Sequence, residues 1–152
     1  MATTASEIYD LFMLTVTDYR LTTLFNESVD DFETYLESFL KFAITDFVVC
    51  DQALVYDDTT NVFSVDLESY NKTILAKLMM KAWLQKEVNN ITQMSLHVTD
   101  RDFRVASEAA NLREKSAYLN TVKEDVSQLL IDYGYRKSAD WTNWKNQLFD
   151  ED

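Results

Sequence analysis

The chain has 152 residues, 47% of them apolar, 26% charged and 13% aromatic, with one glycine, no proline and one cysteine. Such a composition supports one folded domain with a sizeable core, and the scarcity of turn formers favours helices over sheet. A net charge of −12 repels phosphates at long range and argues against a grip on nucleic acid, and a single cysteine excludes an internal disulfide.

Thr4-Ala-Ser-Glu7 has the spacing of a capping box, in which a hydroxyl and a carboxylate satisfy amides at a helix start. A first helix follows, with Ile8, Leu11, Phe12 and Leu14 to Val16 on its apolar face, a break near Thr17-Asp18 and a short continuation to Phe25. Ser28 caps the next helix, with Asp30 and Asp31 in its positively polarised first turn. Phe32, Tyr35, Leu36, Phe39, Leu40, Ala43 and Phe47 recur at spacings of three and four, which makes one buried face.

Residues 48–65 break this pattern. Short β-prone runs flank the polar turn Asp57 to Asn61, which predicts a loop or small hairpin. In a helical chain such an insertion is a candidate contact between subunits or towards a lumen, through Tyr56, Asp57, Asp58 and Phe63. Asp66 is expected to cap a third helix to about Gln93, with Leu67, Tyr70, Ile74, Leu78, Ala82 and Trp83 buried and Lys72, Lys77, Lys81 and Lys86 solvated. Met94 to Val98 would connect it to a long late helix.

That helix is expected to start at an N-cap, Thr99, with Asp100 and Asp102 behind it, and to end at Gly134, where a left-handed C-cap favours glycine. Val105, Leu112, Leu119, Val126 and Tyr133 recur every seven residues, with Val122 and Leu129 beside them. They form one stripe on a rod of about nine turns. Beyond Tyr135-Arg136-Lys137, Ser138 could cap a last short helix carrying Trp141, Trp144, Leu148 and Phe149. The expected fold is all-α: a bundle of about four helices with one long late helix, the 48–65 insertion and an aromatic tail. Residues 1–137 form the helical domain and 138–152 the tail.

Little in the sequence points to catalysis, metal or cofactor. His97 stands alone, without a second histidine or a Glu-x-x-His pattern. Cys50 has no neighbouring cation to stabilise a thiolate. One glycine cannot build a phosphate-binding loop. Asp57, Thr59, Asn61 and Glu68 fall at EF-hand ligand positions, but Val62 replaces the glycine that such a loop needs for its sharp turn. No enzyme activity and no cofactor are expected. The opening residues MATTASEIYD show no secretory leader, and no run of apolar residues reaches membrane-spanning length. The three sequons, at Asn26, Asn71 and Asn90, are read as chance.

Surface chemistry remains. Residues 1–66 carry 13 acids and 2 bases, whereas residues 67–137 carry 9 and 11. Opposed halves suit head-to-tail contacts between copies. Trp141 and Trp144, three apart, share a side of any helix, and tryptophan is enriched at interface hot spots. With Phe149 and Tyr135 they are the candidate partner-binding residues. The tail either packs on its own domain or reaches a neighbour.

Over roughly residues 28–145 the chain resembles the head–tail connector (adaptor or neck) proteins of tailed bacteriophages. The resemblance rests on AKLMMKAWL at residues 76–84, TDRDFRVASEAANLREKSAY at 99–118, and Tyr133-Gly134-Tyr135. It implies a virion structural protein: a ring, commonly of twelve copies, docked on the portal protein and handing the DNA channel on to the next neck or tail protein. It implies that the last segment contacts the portal and that the 48–65 insertion faces the next ring or the channel. A net acidic lumen would let DNA slide without sticking. The competing reading is an acidic helical binding module, a monomeric or dimeric regulator or inhibitor that mimics nucleic-acid charge.

Overall fold

Side-chain caps start the first three helices. The computed structural model describes the backbone of residues 2–97 and 102–149 and the side chains of residues 2–93 and 109–139. In it α1 spans Ala5–Thr15, α2 Tyr19–Glu27 and α3 Val29–Asp46. The Thr4 amide donates to Glu7 Oε1 at 3.1 Å, the Arg20 amide to Asp18 Oδ1 at 2.7 Å, and the Asp31 amide to Ser28 Oγ at 3.2 Å. Each bond satisfies a polar group that a helix start leaves free. The expected break after α1 is present, and Ser28 ends α2 while starting α3.

The insertion is a small hairpin. β1 (Tyr56–Asp57) pairs antiparallel with β2 (Val62–Phe63), Tyr56 opposite Phe63 and Asp57 opposite Val62. Asn61 adopts a φ of 56°, a left-handed conformation that asparagine tolerates better than most residues. The segment ahead of α1 joins this hairpin. The Phe63 amide donates to Thr3 O at 2.8 Å, and the Ala5 amide to Asn61 O at 2.9 Å.

α4 (Ser69–His97) is the central helix, and α1, α3 and α5 all pack on it. Ile74, Leu75, Ala76, Leu78, Met79, Met80, Trp83 and Leu84 are buried, so α4 is apolar round most of its circumference, as a core helix must be. Trp83 meets Phe12 of α1 edge-on at 6.4 Å. All the expected apolar residues of α3 are buried except Tyr35, which is half-buried. The architecture is the expected all-α bundle.

Four sequence expectations about helix ends are corrected. Asp66 does not cap α4. Its carboxylate accepts from Thr3 Oγ1 at 3.1 Å and Lys72 Nζ at 3.5 Å, while Gln52, reaching in from the loop, accepts the Glu68 amide at 2.8 Å. The connector expected from Met94 is helical through His97.

The largest correction concerns Gly134. α5 spans Asp102–Phe149, 48 residues without interruption, or about 72 Å at 1.5 Å per residue. Gly134 has no positive φ and sits inside the helix. Ser138 does not cap a new helix either; its hydroxyl donates back to Gly134 O at 3.0 Å. A helix-interior glycine costs only about 1 kcal/mol relative to alanine, and the proline-free residues that follow carry the ladder on. α5 therefore crosses the expected 137/138 boundary unbroken. Thr99 and Asp100 lie outside the described residues, as do the side chains of Asp102 and Val105.

Candidate interaction surfaces

The heptad stripe docks α5 onto α4. Leu119, Val122, Val126 and Tyr133 are buried, and Leu129 is half-buried. Two polar clusters fix the register. At one end, buried Glu87 of α4 accepts from Arg20 of α2, which also pairs with Asp18 at 3.1 Å. Lys115 of α5 approaches the same Glu87 at 3.6 Å.

At the other end lies a clasp around Asp51, in the loop after α3. The Tyr133 hydroxyl donates to Asp51 Oδ1 and accepts the Asp51 amide at 3.1 Å. Lys137 Nζ reaches Asp51 Oδ2 at 2.6 Å. Asn71, fully buried, donates to Gln52 Oε1 at 2.7 Å and Asp51 Oδ1 at 3.3 Å. Burial opposes the charge on Asp51, but the bonds from Lys137, Tyr133 and Asn71 outweigh it and hold the carboxyl at about 2. Burial pushes the Tyr133 phenol up. The Tyr133 ring stacks on Tyr70 at 5.8 Å and meets Phe47 edge-on at 5.2 Å, and Arg136 lies 4.8 Å over the Tyr70 ring. The heptad pattern singled out Tyr133, but Asp51, Gln52 and Asn71 left no pattern to read. Burial also keeps the Asn71 sequon away from solvent.

The residues singled out in the insertion divide. Phe63 is buried and Tyr56 half-buried, their rings 5.2 Å apart. Phe63 therefore anchors the hairpin to the core and presents no surface. Asp57 accepts the Thr59 amide at 2.8 Å and the Thr60 hydroxyl at 2.9 Å, and Asn61 Oδ1 accepts from Tyr56 at 2.9 Å. Asp57 and Asn61, two of the four EF-hand positions, thus spend their side-chain oxygens on closing the turn. Exposed Asp58 pairs with Lys41 of α3 at 2.9 Å. Among the described residues no group of three or more histidine, cysteine or acidic side chains could hold a metal ion. Cys50 is half-buried, and burial raises its thiol pKa.

Tyr135, on the outward side of α5, is 73% exposed, and Ile131 one turn before it is exposed too. The side chains of Trp141, Trp144, Phe149 and His97 lie outside the described residues, but all four positions are on helix backbone. Arg136 already overlies Tyr70 in the first turn of α4, so residues 138–149 continue past that end of α4 by about 18 Å. No helix among the described residues is long and apolar enough to cross a membrane. Set against protein-family models, curated proteins and solved structures, the chain matches none of them.

Proposed function

We propose that this chain is a structural subunit of a bacteriophage head–tail connector ring, docking on the portal and extending the DNA channel towards the tail. The role is architectural and not catalytic. The observation that carries this reading is the unbroken course of α5 past the Asp51 clasp. A helix that continues past the start of its partner offers its last three turns to another molecule. Those turns hold Trp141, Trp144 and Phe149, residue types that anchor interfaces. The acidic surplus of residues 1–66 suits a lumen through which DNA passes without adhering.

Light scattering of the purified protein, alone and with a portal ring, tests the proposal. Assembly is expected in proportion to concentration or on the portal. Trp141→Ala with Trp144→Ala should abolish it while circular dichroism keeps its helical signal. A stable monomer that ignores the portal would refute the connector role.

A further inference from the structure

α3 and α5 both pack on α4, and Phe47 at the end of α3 meets Tyr133 of α5. Between them a groove of about 670 Å³ lies open. It is lined by Ala82 and Gln85 of α4 and by the apolar Phe39 and Phe42 of α3. Phe42 is 65% exposed, a large ring left uncovered at the groove edge.

The rim is basic in an acidic protein. Lys81, Lys86 and Lys123 line it against one carboxylate, Asp46, and Lys81 already holds that carboxylate at 2.6 Å. Lys86 lies 4.7 Å over the Tyr35 ring. Neither Lys86 nor Lys123 has an ion-pair partner among the described residues. Two cations beside an apolar trough call for a helix that pairs large apolar side chains with carboxylates, the helix-in-groove mode of recognition.

The chain contains such a segment. Trp141, Trp144 and Leu148 stand at i, i+3 and i+7, the spacing of groove anchors, and residues 138–152 hold four acids, Asp140, Asp150, Glu151 and Asp152, against one base, Lys145. This segment cannot enter its own groove. α5 is continuous and runs antiparallel to α4, so residues 138–149 leave the bundle at the end marked by Tyr70 and Tyr133, whereas the groove lies alongside Ala82 to Asn89.

We propose that the 138–152 segment of one copy docks in the α3–α4–α5 groove of the next, with the tryptophans against Phe39 and Phe42 and the acids facing Lys86 and Lys123. The contact is heterologous, since groove and segment are different surfaces, and it propagates from copy to copy until a ring closes. It rests on the self-assembly in the connector reading, and not on the portal.

The test uses the full chain carrying Trp141→Ala and Trp144→Ala, whose own segment is disarmed, titrated against a fluorescently labelled peptide of residues 138–152. Saturable anisotropy is expected. Lys86→Glu with Lys123→Glu in that chain should weaken binding about tenfold or more, as loss of interfacial charge pairs does. Lys77→Glu with Arg113→Glu changes net charge equally but lies off the groove and should leave binding within about twofold. Circular dichroism verifies that each variant is folded, and Phe42→Ser, at an exposed position, gives a second route to the same loss. Absence of saturation up to about 1 mM peptide, a weak-binding ceiling, would overturn the proposal. So would equal weakening by both charge reversals. Peptide binding with no response to the portal would sink the connector role and leave this contact standing. Portal-dependent assembly that survives the Lys86 and Lys123 reversals would do the opposite.

Discussion

Gly134 shows how one residue type carries two meanings. Glycine favours a helix C-cap because it reaches the left-handed region freely, but nothing obliges it to do so. Here it stays helical, and a Cβ added to it would meet no atom within 4 Å. Gly134→Ala should therefore stabilise the protein by about 0.5–1 kcal/mol, chiefly by restricting the unfolded chain. Urea unfolding checks this, and destabilisation would mean that α5 breaks there after all. Asp51 makes the second residue-level prediction. Its carboxyl sits at about 2 in the fold, below its ordinary 3.8. A depressed carboxylate pKa contributes stability that is fully present above about pH 4 and is lost as pH falls towards about 2. Asp51→Asn should unfold at lower urea than the parent at pH 7, with the gap narrowing through that acid window. A gap that is absent at pH 7, or constant down to pH 2, would remove the clasp from the account.

Among the elements, α5 does two jobs along one rod. Its stripe from Leu119 to Tyr133 closes the core, and its continuation beyond Lys137 carries the tryptophan positions past the start of α4. Ser138→Pro separates these jobs. Proline removes an amide and clashes with the preceding turn, costing about 3 kcal/mol of local helix, just outside the clasp. The thermal midpoint should stay close to that of the parent while assembly is lost. A large fall in the midpoint would show that residues past 138 support the bundle itself. The heptad pattern made the stripe legible, because spacing along one helix is a local property. Its continuation past Gly134 was not, because the chemistry of a possible cap looks the same whether or not the chain uses it.

At the scale of the whole molecule, charge and shape divide the surface. The acid-rich half supplies carboxylates to lysines of α4, as Glu7 does to Lys72 at 2.7 Å and Asp46 to Lys81 at 2.6 Å. Part of the charge polarity visible in the sequence is thereby consumed within one copy. Among the described residues Lys86 on α4 and Lys123 on α5 have no ion-pair partner and both line the groove, and there the head-to-tail idea acquires an address. The sequence by itself determined the all-α class, the caps of α1 and α3, the buried faces of α3 and of the central part of α5, and the hairpin turn. Each depends on residues within a turn or two of one another, where backbone geometry and hydrogen bonding act without the rest of the fold. Only the tertiary structure decided that Gln52, and not Asp66, completes the start of α4. It alone placed Phe63 in the core, brought Asp51 to a tyrosine 82 positions away, and left α3 and α5 apart over a groove. Those outcomes rest on contacts between distant residues, and no local pattern encodes which surfaces meet once the helices pack.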